Sequence, residues 1–303
     1  MILEFWQGSG DLWNALTVLL RAAGYAGTLG AAGVALFLLF MSGELTADEA
    51  TAARRWLAVL VLAGLLASLA AWPMRALSLS RMPEAAFRFE IYSGIARSRF
   101  GDAGLLRLVG LVLVLFALVR RTWGAGIGAI GAVVIAASYV AIGHTTQYRP
   151  RQELAALTVL HLTAVAFWFG SLFPLRNITL RRDPRSAAET LAVWSRYATV
   201  FVILVAATGL VVAWYLVGAA RNLTGSWFGW ALIAKLALVA LILLSAFGAR
   251  FRHARLMLRG DVLAASAMRR SLGRQIVIAV LVFYATAELV SVNPIDYGHR
   301  LPG

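Results

Sequence analysis

The sequence has no cysteine and few charged residues, and both features limit the kinds of protein that it can encode. Because none of its 303 residues is cysteine, disulfide bonds and thiolate metal sites are excluded. Only 14% of the residues are charged, whereas a soluble domain has about 25%. Hydrophobic residues make up 61% of the chain and lie in long uninterrupted blocks. The composition therefore predicts a single integral membrane domain over residues 1–303, without a separate soluble domain.

Motifs of nucleotide-driven and hydrolytic enzymes are also missing. The chain has no Gly-Lys-Ser/Thr phosphate loop and no His-Glu-x-x-His pair, and no hydrophobic block contains two acidic residues. No part of it could form a nucleotide-binding domain, so an ATP-driven pump is excluded. We therefore expect a protein that is not an enzyme, with the haem-dependent oxidoreductase described below as the alternative.

Eight hydrophobic blocks are present, and a helix needs about 20 apolar residues to cross the hydrocarbon core of a bilayer. The blocks predict an all-α polytopic membrane helical bundle of about eight transmembrane helices. The predicted spans are residues 22–43, 56–74, 103–119, 123–146, 154–175, 197–220, 227–249 and 275–292. Residues 11–21 are predicted as an interfacial lead-in, residues 44–55, 176–196 and 250–274 as loops, and residues 84–95 as an amphipathic surface helix.

Positive charge dominates the segments between the blocks. The net charge is +14, and Lys235 is the only lysine among 28 basic residues. Beside membrane spans, arginines set topology and contact anionic lipid, so we expect membrane lipid and not nucleic acid as the partner of this charge. The loops after spans one, three, five and seven carry 16 arginines, more than the opposite side. The positive-inside rule then predicts that these loops are cytoplasmic and that both termini are periplasmic.

One block combines hydrophobicity with an ionisable side chain. Residues 154–175 contain no Asp, Glu, Lys or Arg, yet they include His161, with Trp168 seven residues later. Seven residues make almost two helical turns, so both rings project from one face. An ionisable group inside a membrane costs free energy without a partner and is often functional. A histidine hydrogen-bonded between helices beside a packing tryptophan and a histidine that binds a ligand are both open at this point.

Four further polar residues lie in other spans, in the half of the membrane nearer the termini. They are His144, Arg107, Lys235 and Glu288. We predict that they form, together with His161, a polar site open to the outside. Each also has a structural explanation, because a long cation can extend to the headgroups, a carboxylate can pair with it, and a histidine can cap a helix.

Two histidines fit two chemistries. Neutral imidazole is a good copper ligand. Alternatively, His144 and His161 could ligate one haem whose propionates pair with Arg107 and Lys235. The two cations favour haem, because they would repel a bound metal ion. A structural or assembly component without a cofactor is the third possibility.

The residues around these histidines resemble one protein family. The stretch His161-Leu-Thr-Ala-Val-Ala-Phe-Trp168-Phe-Gly170-Ser-Leu is similar to a His-Leu, small residues, Trp-x-Gly-Gly-Leu pattern of the copper resistance protein D (CopD) family. Further similarities are Gly143-His144, Phe100-Gly101 followed by Arg107, Ala207-Thr208-Gly209, and Lys235. The resemblance covers about residues 98–294. The chain departs from the family pattern at Thr158, Ser171, Phe251 and Gln275.

The resemblance implies a function as well as a fold. It implies a multi-pass protein of the bacterial inner membrane for copper tolerance or transport, with a copper ion as its substrate. It also implies His144 and His161 as candidate metal ligands, and often a periplasmic CopC-like copper-binding partner. Copper handling is therefore our leading hypothesis, and a haem-binding electron-transfer protein or oxidoreductase is the alternative.

Overall fold

Within the residues that the computed structural model describes, the chain forms ten α-helices and no strand. The described residues are 12–80, 87–142, 150–217, 223–224 and 227–291. The helices are α1 (Leu12–Phe40), α2 (Ala47–Ser80), α3 (Phe89–Ala96), α4 (Arg99–Leu115), α5 (Thr122–Val140), α6 (Arg151–Arg181), α7 (Pro184–Val217), α8 (Trp227–Gly248), α9 (Ala254–Met257) and α10 (Val262–Ser291). A π-helical turn, Ala249–His253, joins α8 to α9.

Eight of these segments are long and apolar enough to cross a membrane, which confirms the predicted all-α polytopic bundle. They are α1, α2, α4, α5, α6, α7, α8 with its extension to Met257, and α10. Successive spans joined by short connections alternate in direction. The starts of α1, α4, α6 and α8 therefore lie at one face with the ends of α2, α5, α7 and α10. We call it the terminal face, and the other the opposite face.

The helices are longer than the charge-free blocks from which the spans were predicted. The predicted loop at residues 176–196 is wrong, because α6 runs to Arg181 and α7 begins at Pro184. Residues 12–21 of the predicted lead-in form the first turns of α1, and most of residues 44–55 belong to α2. Residues 250–274 are also mostly helical. Arginine is a good helix former, so its charge marks the membrane boundary without ending the helix.

The predicted surface helix at residues 84–95 corresponds in part to a short helix between two spans. Helix α3 covers Phe89–Ala96, whereas residues 81–86 lie outside the described part of the chain. Ser98 caps the next helix by accepting a hydrogen bond from the backbone N–H of Phe100. The connection between α2 and α4 is thus folded where it is described.

Helix α1 lies at the centre of the bundle and packs against α2, α5, α6 and α10. Glycines make these close contacts possible. A Cβ atom on Gly27 would overlap the backbone of Gly64 on α2, and one on Gly170 of α6 would lie 2.6 Å from the Cα atom of Gly33. Small residues at interfaces let helix backbones approach closely in membranes. The glycines of α1 thus allow it to lie close to both α2 and α6.

Helices α7 and α8 lie at the periphery. Helix α7 packs mainly on α6 and α8 mainly on α10, and along the described residues the two do not pack extensively on each other. Their exposed faces are apolar, as at Leu210, Trp214, Leu244 and Phe247. Such faces suit lipid contact, since the acyl chains are as apolar as the side chains. Helices α7 and α8 therefore lie beside the α6–α10 pair, each packed on one helix of that pair.

Candidate functional site

His161 lies inside the membrane on α6, ten residues from the start of the helix at Arg151 and therefore about 15 Å from the terminal face. Its Nδ1 atom is 3.1 Å from the carbonyl oxygen of Val205 and 3.1 Å from the hydroxyl oxygen of Thr208, both on α7. A carbonyl oxygen only accepts, so Nδ1 carries the proton and donates it. The lone pair is consequently on Nε2, and a metal-binding histidine commonly has this arrangement.

Two residues of α7 fix the ring of His161. Thr208 is buried and donates its own hydroxyl proton to the Leu204 carbonyl, so its oxygen is free to accept from Nδ1 of His161. A Cβ atom on Gly209 would lie 3.0 Å from the Cε1 atom of the ring. The missing side chain thus lets the imidazole lie directly against α7. In the sequence, Thr208 and Gly209 contributed to the family resemblance but received no role.

Lys235 on α8 is the second predicted site residue in this region. Its side chain interacts electrostatically with the His161 ring. Among the described residues it forms no ion pair and no hydrogen bond through its side chain. This electrostatic interaction links one predicted site residue on α6 with one on α8. A positive charge at Lys235 weakens the binding of a second cation at Nε2.

Arg107 on α4 is held by different partners. Its Nε atom donates to the Ser138 hydroxyl at 3.2 Å, and its guanidinium carbon lies 4.1 Å from the centroid of the Tyr139 ring. The Tyr139 hydroxyl is 2.7 Å from the Thr28 hydroxyl of α1. Thr28 donates to Gly24, so Tyr139 is the donor in that pair. A hydroxyl and an aromatic face therefore stabilise the Arg107 cation and join α4, α5 and α1.

Glu288 and Trp168, the two remaining predicted site residues that the structure describes, have neighbours that differ from those of His161 and Arg107. Glu288 is buried on α10, and its carboxylate interacts electrostatically with Tyr284 one turn earlier. Trp168 is partly buried against the hydrophobic core. Ser171 accepts a hydrogen bond of 2.9 Å from Nε1 of Trp194 and donates one of 2.9 Å to the Trp168 carbonyl. In the described part of the chain, neither Glu288 nor Arg107 forms an ion pair.

The histidines do not form a pair where the structure describes them. His144 lies outside the described residues, so its predicted role as a ligand stays a prediction. His253 follows α8 toward the opposite face, whereas His161 lies toward the terminal face. Over the described ranges, no three His, Cys, Asp or Glu side chains form a cluster that could hold a metal ion. The described histidines therefore give no support to a haem held between two imidazoles.

At the opposite face, one arginine joins three helices. Nε and Nη2 of Arg182 each lie 2.6 Å from a carboxylate oxygen of Glu49, and Nη2 also donates to the Glu44 carbonyl at 3.0 Å. A third nitrogen donates to Thr190 of α7. Hydrogen bonding to the Glu49 carboxylate raises the pKa of Arg182 above its ordinary value. We call the contacts of Arg182 with Glu44, Glu49 and Thr190 the arginine clamp.

The start of α2 positions the carboxylate of the arginine clamp. The Thr46 backbone N–H donates to Glu49 at 2.9 Å, and the Glu49 N–H donates to the Thr46 hydroxyl at 3.3 Å. This reciprocal pair is a capping box, whose sequence signature is Thr46-Ala-Asp-Glu49. Sequence reasoning assigned this stretch to a loop and missed the arginine clamp, although the signature could have located its acidic member.

Comparison with protein families gives two matches along this chain. The family described as "Copper resistance protein D-like, N-terminal domain" matches residues 11–149, and the family described as "Copper resistance protein D" matches residues 188–289. The first match adds the N-terminal third, which the predicted region of residues 98–294 had left out. Thr208, Gly209 and Lys235 lie in the second matched region, whereas His161 and Trp168 lie between the two. No curated protein and no solved structure gave a significant match.

Proposed function

This chain belongs to the copper resistance protein D family, and on that premise we propose that it binds copper inside the bacterial inner membrane and moves it across or into that membrane. Copper is its cargo, and His161 is its ligand. The observation that supports this role is the hydrogen bond from Nδ1 of His161 to the Val205 carbonyl. That bond leaves the unprotonated Nε2 as a nitrogen that can coordinate copper.

The partners on α7 prepare His161 for this role. Donation from Nδ1 to Val205 and Thr208 holds the ring in one orientation and makes Nε2 a better electron donor. The imidazole therefore needs no rearrangement when copper arrives. His144 is the proposed second ligand, on the strength of its sequence position alone. A periplasmic CopC-like protein is the proposed source of the ion.

Lys235 keeps the binding of copper weak enough for release. A transport site must attract its ion and also let it leave, so tight coordination would be a disadvantage. The positive side chain beside His161 opposes a resident cation and favours passage of the ion. No energy source is evident in the sequence, so copper moves along its own gradient.

Cells that express His161→Ala and His253→Ala variants test this function. His253 is the matched control because it is also a histidine but lies toward the opposite face, in the π-helical turn after α8. Copper content, measured by elemental analysis, and growth in copper should change for His161→Ala and stay at the wild-type level for His253→Ala. Equal copper content and growth for both variants, at equal protein levels in the membrane, would refute the proposal.

A further inference from the structure

A cavity of about 690 Å³ lies at the side of the bundle, between α2, α6 and α10. Its lining includes Trp56, Phe173, Arg176, Gly273, Arg274 and Ile276. It is separate from the His161 region, since Phe173 and Arg176 lie at least twelve positions further along α6, toward the opposite face. The copper proposal leaves it without a role.

The cavity has an apolar part lined by aromatic and aliphatic side chains. The ring centroids of Trp56 and Phe173 are 5.0 Å apart, and those of Phe173 and Phe169 are 5.3 Å apart. Ile276 of α10 also lines it. A Cβ atom on Gly273 would be 3.7 Å from Nε of Arg176, so the absence of a side chain there leaves room beside the guanidinium group. The cavity can accept a hydrocarbon chain.

The cavity also has two exposed cations. Arg176 and Arg274 are exposed, and among the described residues neither forms an ion pair. Arg176 directly follows the charge-free residues 154–175, and Arg274 directly precedes the charge-free residues 275–287. Both guanidinium groups therefore stand at the same boundary between hydrocarbon and headgroups, where the phosphates of a leaflet lie.

We propose that this cavity is a binding site for an anionic phospholipid. The phosphate binds between Arg176 and Arg274, and an acyl chain lies along Trp56 and Phe173. Arginine suits this role because its planar group donates two parallel hydrogen bonds to a phosphate. Basic pockets between membrane helices bind anionic headgroups for the same reason. A peptide or nucleic acid does not match a site that is apolar at depth and cationic only at its rim.

Native mass spectrometry of the purified full chain, titrated with phosphatidylglycerol or phosphatidylcholine, tests the site. Wild-type protein should retain phosphatidylglycerol in preference to phosphatidylcholine. The Arg176→Gln/Arg274→Gln variant should lose about tenfold or more in affinity for phosphatidylglycerol. The matched control, Arg181→Gln/Arg259→Gln, removes two exposed arginines outside the cavity lining and should bind as wild type does.

A second variant keeps the test independent of charge and of the stability of the double variant. Gly273→Phe places a ring in the cavity without changing the net charge, and it should also remove the bound phosphatidylglycerol. Unchanged phosphatidylglycerol binding in Gly273→Phe or in Arg176→Gln/Arg274→Gln would overturn the proposal. Equal retention of the two lipids by the wild-type protein would also overturn it.

Discussion

The Nδ1 atom of His161 lies 3.1 Å from the hydroxyl oxygen of Thr208, and this hydrogen bond joins α6 to α7 within the membrane. Together with the bond to the Val205 carbonyl, it fixes which ring nitrogen carries the proton. The copper chemistry proposed for this chain depends on that tautomer, because only an unprotonated nitrogen can coordinate a metal.

Thr208→Val removes the hydroxyl and keeps the shape of the side chain. Nδ1 of His161 then has only the Val205 carbonyl as its acceptor, so the ring is less firmly oriented. We expect copper affinity to fall by about tenfold, the lower end of the effect seen when a partner of a ligating histidine is lost. Competition with a copper chelator measures this. Thr208→Ser keeps the hydroxyl and should restore binding, whereas wild-type affinity in Thr208→Val would contradict the role of Thr208.

Gly209→Ala tests the close approach of the ring to α7. The new Cβ atom would lie 3.0 Å from Cε1 of His161, so the imidazole must move by a few tenths of an ångström. We expect copper affinity to fall by a factor of about three, because a ligating group needs a precise position. Gly248→Ala is the control, since a Cβ atom there meets nothing within 4 Å. An equal copper affinity in the two variants would show that Gly209 has no such role.

Lys235→Met removes a positive charge beside His161 and keeps a long side chain. We expect copper to bind about tenfold more tightly, because the repulsion between the amine and the ion is lost. Uptake into vesicles should become slower, since the ion leaves the site less readily. Lys235→Arg keeps the charge and should resemble the wild type. If Lys235→Met binds copper as weakly as the wild type does, Lys235 does not set the affinity.

Glu49→Gln tests the arginine clamp at the opposite face. The amide cannot accept two charge-assisted hydrogen bonds from Arg182, so we expect a loss of about 2 kcal/mol in the free energy of unfolding. Thermal unfolding in detergent, followed by intrinsic fluorescence, should show a lower midpoint.

The matched control for the arginine clamp is an exposed ion pair. Nε of Arg185 lies 3.7 Å from Oε1 of Glu189 on the surface of α7. Glu189→Gln should change the free energy of unfolding by less than about 1 kcal/mol. Equal midpoints for Glu49→Gln and Glu189→Gln would mean that the arginine clamp does not stabilise the bundle.

The number of spans was predictable because each one needs a long apolar block, and the sequence has eight such blocks. The ends of the helices were not predictable from the same signal. Helix α6 continues to Arg181 because arginine, although its charge keeps it out of the hydrocarbon core, is a good helix former. The close approach of the helices at Gly27 and Gly33 depends on the absence of side chains there, since only small residues allow it.

The candidate site was predictable in part. His161 and Lys235 were conspicuous as ionisable groups in apolar blocks, and in the structure their side chains interact electrostatically. The hydrogen-bond partners of His161 were not predictable, because every residue has a backbone carbonyl and the sequence does not single out that of Val205. The sequence identified Arg107 as a polar group in a span, but it did not identify the partners of its side chain. These partners are the hydroxyl of Ser138 and the ring of Tyr139.

X-ray absorption at the copper edge tests the central role of His161 most directly. Purified wild-type protein, His161→Ala and His253→Ala are loaded with copper under identical conditions. We predict scattering from imidazole nitrogen bound to copper in the wild type and in His253→Ala, and a smaller imidazole contribution or no bound copper in His161→Ala. An imidazole signal that persists unchanged in His161→Ala, or a wild-type protein that binds no copper, would contradict the account.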